Sequence, residues 1–564
     1  MAIAMGWRKP DNVAGSSAPA IMIGIFVASG GLLFGYDTGT INGILAMDSF
    51  KNTFSTGYRD ANGYLAISPS QTAIIVAILS AGTVLGALLA APIGDYFGRR
   101  LSLIAAVTVF NFGVIFQVCA QTIPTLLVGR FFAGVGVGTV SVLVPIYQAE
   151  MAPKWIRGTL VCFYQLSITI GLLTASIVNM LTSEMDGSAA FRIPLGLQFT
   201  WACVLSLGLL MLPETPRYLI KRGLKEAAAV SLSRLRRLDR LHPALLEELS
   251  EIEANHEYEL ALGPDTYKDI IFGSPHLGRR TLTGCGLQML QQLTGVNFIM
   301  YYGTTFFDGA GIQNAFLISL IIGIINMVST FPALFVIESW GRRRVLMYGA
   351  IAMAVCQLLI ASFTAAVGTS MHSTANQIII IFLSIDIFFY AASWGPVVWV
   401  ITSEIYPLKV RAKSMSISTA SNWLLNFGIS YGTPYMVEEG AGYADLGTRV
   451  FFVWGAFCAF AAFFVWCLVY ETSKISLEQI DEMYERVTFA WNSANFEPSW
   501  SFQQMRDLGY SDSGVQPNEQ EQELEPTTTH QSDTGTSISV TVVNSANGDE
   551  NKVISQMGHV DFSY

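Results

Sequence analysis

The chain has 564 residues, of which 52% are apolar and only 13% are Asp, Glu, Lys or Arg, about half the charged share usual in a soluble protein. Its formal charge is −10, but from Glu471 onward sixteen acidic residues face four basic ones, a local −12 that leaves the rest near neutral. Composition therefore excludes water as the main solvent, and no basic stripe offers itself to nucleic acid.

A bilayer-spanning helix needs about 20 mostly apolar residues. Twelve such stretches follow one another, beginning near Pro19, Ser70, Leu101, Pro124, Thr159, Gly196, Thr281, Ala315, Val345, Asn376, Ser414 and Arg449. The expected class is an all-α membrane protein with twelve transmembrane helices. The first stretch follows a polar lead containing Arg8 and Lys9. It is too long for a signal peptide and ends in Gly35-Tyr36-Asp37 instead of a small-residue cleavage site, so it is retained as a helix. Residues 1–18 are then an N-terminal lead, 19–216 a six-helix bundle, 217–280 a linker, 281–470 a second six-helix bundle and 471–564 an acidic tail. The linker is charged and helix-forming over Lys225–Arg240 and Glu247–Glu259, as a solvated helical segment would be. After about residue 486 the chain turns polar, and disorder is expected; such a tail is open to regulatory partners.

Positive charge falls in alternate loops: Arg99 and Arg100, Lys154 and Arg157, the Arg217–Arg280 segment, Arg342–Arg344, then Lys409, Arg411 and Lys413. By the positive-inside rule these loops and both termini are cytoplasmic. All seven cysteines lie in apolar stretches, without metal-ligand spacing, and read as small core residues. The sequence asks for no cofactor or metal, and it shows no catalytic nucleophile, so an enzyme is not expected.

The two halves repeat each other. Asp95-Tyr-Phe-Gly98-Arg99-Arg100 returns as Glu338-Ser-Trp-Gly341-Arg342-Arg343. Glu150, Pro153 and Arg157 return as Glu404, Pro407 and Arg411, and Glu214-Thr215 as Glu471-Thr472. Three pairs in one order, offset by about 250 residues, mark a duplication. Arg99, Glu150, Arg157 and Glu214, with Arg342, Glu404, Arg411 and Glu471, sit at cytoplasmic helix ends where ion pairs between spans can form a gate. The alternative is that they only set topology.

Three ionisable residues lie well inside apolar stretches: Asp37, Arg130 and Asp386. Each is costly at membrane depth, which makes function the default reading. Arg130 keeps its proton and a carboxylate does not, so an Asp37–Arg130 pair can link proton binding to a change of conformation, or serve as a fixed structural pair. Asp386 either faces a cavity or packs against a polar neighbour. Embedded amides at Gln165, Gln288, Gln291, Gln292, Asn297, Asn326, Asn422 and Asn426 both donate and accept, as sugar hydroxyls do. Trp394, Trp399, Trp423, Tyr301 and Tyr302 offer flat apolar faces.

These residues resemble the sugar porter family of the major facilitator superfamily, in particular fungal monosaccharide transporters, over roughly residues 20–485. The likeness rests on Gly30-Gly-Leu-Leu-Phe-Gly-Tyr-Asp37-Thr-Gly39, Gly94-Asp95-Tyr-Phe-Gly98-Arg99-Arg100, Gly129-Arg130, Pro145-Ile-Tyr-Gln-Ala-Glu150 through Gly158, and Pro213-Glu-Thr-Pro-Arg-Tyr-Leu219. Gln291-Gln292-Leu-Thr-Gly295-Val-Asn297, Trp394-Gly-Pro396 with Trp399, and Ser403-Glu404-Ile-Tyr-Pro407 continue it. The resemblance implies the major facilitator fold and a plasma-membrane carrier that moves a hexose such as glucose by alternating access, with a proton as co-substrate. A facilitative uniporter or a transporter-like glucose sensor are the alternatives. It assigns sugar contact to Gln165, Gln291, Gln292, Asn297, Asn326, Trp399 and Asn422, and proton coupling to Asp37 with Arg130. Departures are Tyr470-Glu471-Thr472-Ser473-Lys474 after the last span and Ala412 after Arg411.

Overall fold

The computed structural model describes residues 14–59, 63–152, 156–261, 268–273, 276–309, 314–367, 372–407, 410–437, 444, 446–473, 475 and 477–496. The lead with Arg8 and Lys9, the loop residues Pro153, Lys154 and Lys409, the side chain of Glu338 and the tail from residue 497 lie outside them.

Among the described residues the secondary structure is helical, apart from one isolated bridge between Arg59 and Leu65. The first span is α1 (Ala18–Ala28) with α2 (Gly30–Ile44), joined at Ser29; the short α3 (Asp48–Phe54) follows. Then come α4 (Pro69–Phe97), α5 (Arg99–Cys119), α6 (Ile123–Met151), α7 (Arg157–Thr182) and α8 (Ala189–Met211). The start of α4 shows how sequence sets these boundaries. Pro69 occupies the first turn, and Ser68 and Gln71 bond reciprocally to each other's backbone N–H as a capping box, satisfying donors that the helix leaves open.

The middle segment holds α9 (Pro216–Lys221), α10 (Lys225–Arg236), α11 (Pro243–Ala261) and α12 (Asp269–Phe272). It docks on the first half: Tyr218 Oη and Arg222 Nη2 both donate to the Tyr96 carbonyl, at 3.0 and 2.6 Å. The second half comprises α13 (Leu277–Leu293) and α14 (Val296–Gly309), α15 (Ala315–Trp340), α16 (Arg342–Val367), α17 (His372–Ala392) with α18 (Trp394–Glu404), α19 (Arg411–Val437) and α20 (Val450–Leu468). Beyond it, α21 (Leu477–Arg486) and a 3-10 turn at Ala490–Asn495 pack under the bundle. Arg280, buried in α13, bonds to Asp481 on α21 and lies 4.2 Å from the centre of the Tyr484 ring. The polar stretch read as disordered from about 486 is thus folded as far as Phe496.

Ten segments among the described residues are long and apolar enough to cross a bilayer. The other two of the twelve spans are polar or broken. α13 and α14 are 17 and 14 residues long, each short of a full crossing. α19 buries Ser414, Ser416, Ser418, Thr419, Asn422 and Asn426. Elsewhere apolar side chains such as Leu85, Leu207, Met211, Phe460 and Phe463 stand exposed on the outer surface, as lipid-facing residues do.

Packing repeats between the halves. The first span packs on the fifth (α2 on α7), the second on the fourth (α4 on α6), and the third on the fourth and sixth (α5 on α6 and α8). In the second half the same relations join α13 to α19, α15 to α17, and α16 to α17 and α20. The halves meet along two equivalent seams, α4 with α19 and α7 with α15. Close approach inside the first half comes from small residues at every fourth position. Gly31, Gly35, Gly39 and Gly43 turn one face of α2 onto α7, where a Cβ on Gly35 would run into the Ile168 carbonyl.

Candidate functional site

Between the halves lies a cavity lined by polar and aromatic side chains from both, as small-molecule sites are. Its wall from the first half is formed by Phe34, Gly35 and Thr38 on α2 and by Gln165, Ile168 and Leu172 on α7. The second half contributes Gln291, Gln292, Val296, Asn297 and Met300 from the broken seventh span, Asn326 from α15, Tyr390 and Trp399 from the tenth span, and Asn422 and Trp423 from α19. The structure therefore brings all seven residues expected at a sugar site, Gln165, Gln291, Gln292, Asn297, Asn326, Trp399 and Asn422, to one cavity.

The amides are wired to each other. Asn422 Nδ2 donates to Gln288 Oε1 at 2.7 Å and to Gln291 Oε1 at 3.0 Å, and Asn422 Oδ1 accepts from Gln292 Nε2 at 2.8 Å. Gln292 Oε1 in turn accepts from Asn297 and from Asn426 Nδ2. Gln291 Nε2 is held by the carbonyls of Trp394 and Gly395, at 2.9 and 3.0 Å, at the joint between α17 and α18. Two amides differ. The side chains of Gln165 and Asn326 have no hydrogen-bond partner among the described residues, and Asn326 Oδ1 is buried. A buried amide without a partner is costly, and a polyhydroxylated solute in the cavity can supply the missing donors and acceptors.

The aromatic faces divide. Trp399 lines the cavity edge-on to Tyr164, and Trp423 does so edge-on to Phe34 with its Nε1 donating to Ser141 Oγ across the seam at 3.2 Å. Trp394, Tyr301 and Tyr302 are not among the lining residues. Trp394 Nε1 is spent on the Leu346 carbonyl, Tyr302 Oη on the Ser430 carbonyl and Tyr301 Oη on Asn426 Oδ1. Tyr390 also lines the cavity, and its sequence signal is one that many helix-packing tyrosines share.

Asp37 and Arg130 are fully buried and face each other with Arg130 Nη2 3.7 Å from Asp37 Oδ2, an ion pair too long for a hydrogen bond. Arg130 Nε donates instead to the Ile75 carbonyl at 2.6 Å, and Asp37 Oδ1 accepts from Gln198 Nε2 on α8 at 3.2 Å. Asp37 occupies the turn next to the cavity-lining Thr38. Asp386 takes the second of its two readings: it packs against Gln357 on α16, whose Nε2 reaches both carboxyl oxygens at 3.1 and 3.2 Å. Gln198 and Gln357 are amides in apolar stretches and carry the same sequence signal as the cavity residues.

At the charged end of the molecule the repeated motifs build two matching clusters. Arg99 Nε donates to Glu150 Oε1 at 3.1 Å, and Arg342 Nη2 to Glu404 Oε1 at 3.2 Å. Glu214 accepts from the backbone N–H groups of Arg99, Arg100 and Thr215, and Glu471 from those of Arg342, Arg343 and Ser473. Each of these glutamates caps the N-terminus of a span, where the helix dipole favours an anion. Burial pushes the Glu214 carboxyl above its ordinary pKa, and the N–H groups of Thr215, Arg100 and Arg99 pull it part of the way back. Arg411 donates to the Tyr406 carbonyl at 3.1 and 3.2 Å, and Arg157 lines a second cavity beside Glu150. The Arg99–Glu150 and Arg342–Glu404 pairs each join helices of one half.

Gly98 and Gly341 lie at φ 90°, ψ 167° and φ 87°, ψ 157°, a region open in practice to glycine alone. A Cβ at either would stand 2.5 Å from the capping carboxylate of Glu214 or Glu471. Among the described residues no group of three or more His, Cys, Asp or Glu converges as a metal site would.

Comparison with known proteins extends these observations. Residues 23–484 match the family model described as "Sugar (and other) transporter". The chain is 71% identical to the probable glucose transporter rco-3 of Neurospora crassa, over 92% of this chain and 88% of that protein. It is 40% identical to the high glucose sensor RGT2 of Saccharomyces cerevisiae, over 85% of this chain and 63% of that longer protein. The proton:xylose symporter XylE of E. coli, solved with 6-bromo-6-deoxy-D-glucose bound, superposes with a TM-score of 0.71 at 27% identity, over 83% of this chain and all of that one.

Proposed function

The chain belongs to the sugar transporter family, and from that premise we propose that it carries a monosaccharide, a hexose such as glucose, across the plasma membrane by alternating access, with a proton as co-substrate and both termini in the cytoplasm. The observation that carries this reading is the cavity at the seam, where the side chains of Gln165 from one half and Asn326 from the other have no hydrogen-bond partner among the described residues. A solute gripped by both halves favours whichever arrangement brings them together, and that differential affinity is what drives a conformational cycle.

Proton coupling rests on Asp37. Asp37 and Arg130 pair at 3.7 Å with no hydrogen bond between them, so a proton on Asp37 weakens the pair and proton loss restores it. One charge moved through 100 mV supplies about 2.3 kcal/mol, enough for a roughly fiftyfold gradient. The likeness to a proton:xylose symporter supports this over a uniporter. Asp37→Asn is expected to abolish protonophore-sensitive accumulation of labelled glucose in a carrier-null host while leaving equilibrative exchange; unchanged accumulation defeats the coupling.

The arginine–glutamate clusters, in this proposal, brace the cytoplasmic gate from within each half. They fix the ends of α5 to α6 and of α16 to α18, so that each half moves as a stiff body. Cysteine accessibility on the cytoplasmic side should rise in Glu404→Gln. A second reading, a glucose sensor that binds without carrying, is favoured by the likeness to RGT2. Saturable uptake in the carrier-null host decides for transport; sugar binding without uptake decides for sensing.

A further inference from the structure

Asp386 takes no part in the cavity or in the Asp37–Arg130 pair. It is 1% exposed on α17, and Gln357 Nε2 is its hydrogen-bond partner. No Lys, Arg or His of the described residues pairs with it. An ionised carboxylate without a cation at membrane depth is costly.

Gln357 Nε2 has two hydrogens. One serves the Asp386 carboxyl; the other goes to the Thr294 carbonyl at 2.7 Å. Thr294 closes α13, and Gly295 at φ +80° starts the turn into α14. The cavity residues Gln292 and Asn297 stand on either side of this break. One amide thus ties a buried acid to the joint of the helix that carries half of the site's amides. An ionised carboxylate accepts through both oxygens and holds the amide by a charge-assisted bond. Protonation leaves one carbonyl oxygen to accept and removes the charge that strengthens the bond, so the hold loosens. The other titratable groups that feel this carboxyl are Cys356 on α16 and Cys458 on α20, and Cys458 Sγ also reaches the Thr294 carbonyl, at 3.7 Å. Tyr390 lies one turn further along α17.

We propose that Asp386 is a second proton-binding site, independent of Asp37, whose occupancy sets how firmly α14 is held at the α13–α14 joint. Linkage makes the effect reciprocal: an increase in proton affinity when the joint opens shifts the opening equilibrium by the same factor on protonation.

The test needs no sugar. Hydrogen exchange over α14 is followed in the full-length protein in lipid nanodiscs, normalised to α5. It is expected to be roughly tenfold faster at acid than at alkaline pH once chemical exchange is corrected. Asp386→Asn should exchange fast at both pH values, and Asp37→Asn should keep the parental difference. Gln357→Leu should also be fast throughout, while the infrared carbonyl band of the protonated Asp386 carboxyl still titrates. If Asp386→Asn does not fold, the parent and Gln357→Leu decide. The proposal is overturned by parental exchange that ignores pH, by a pH difference that survives in Asp386→Asn, or by its loss in Asp37→Asn.

Discussion

Asn422 and Asn326 line the same cavity and hold opposite positions in its energetics. Asn422 bonds to Gln288, Gln291 and Gln292, so Asn422→Ala should lower both sugar affinity and thermal stability by stranding those amides, each at about 1–3 kcal/mol. The Asn326 side chain has no hydrogen-bond partner among the described residues. Asn326→Val should weaken sugar binding roughly five- to tenfold without lowering Tm, and a clear drop in Tm would show that its amide is structural. Glu214 adds a pH effect. Its carboxyl is raised by burial, so its contribution to stability is full below the ordinary glutamate range and is lost as pH rises through the raised value. The Tm of Glu214→Gln relative to the parent should therefore improve as pH rises above the ordinary glutamate range, as measured by thermal denaturation in detergent. At this scale the sequence showed which amides were embedded, since polar atoms in apolar stretches stand out. It did not show which were already spoken for, because Gln357 and Gln292 look alike until their neighbours are known.

Among elements, the twelve spans were legible because apolar length is a one-dimensional property. The breaks were less so. Thr294-Gly295 stands in the Gln291–Asn297 motif, yet what makes it a joint is the positive φ of Gly295 packed on Trp454, a contact 159 positions away in the chain. Conversely, the repeated Gly-Arg-Arg motif pointed to the arginines, and the structure gives the glycine an equal part. Gly98→Ala or Gly341→Ala should each cost of order 1–3 kcal/mol and loosen the Glu214 or Glu471 cap. The two substitutions should be close to additive because they sit in different halves; chemical denaturation of the single and double variants checks this.

In the whole molecule, cross-seam hydrogen bonds lie on both sides of the cavity. Ser416 Oγ meets the Ala87 carbonyl toward the charged end, and Asn42 Oδ1 accepts from the Thr304 N–H at 3.0 Å toward the other. If the halves rock about the cavity, these contacts cannot all persist through a cycle. A cysteine pair at 87 and 416, in a background cleared of the seven native cysteines, should cross-link under oxidation and stop uptake until reduced. Cross-linking that leaves uptake intact would mean that this seam stays shut. The duplication predicted two bundles, but which helices touch across the seam depends on their orientation, which sequence periodicity does not carry.

The two capping glutamates set a timetable for biogenesis. Arg99 precedes Glu214 by 115 positions and Arg342 precedes Glu471 by 129. At about 5–20 residues per second, the third and ninth helices wait on the order of 6–26 seconds at the ribosome before the carboxylate that finishes them is made. Each bundle is therefore sealed by its last helix, and a nascent chain halted before Glu214 or Glu471 exposes a helix start that a protease or a chaperone can recognise.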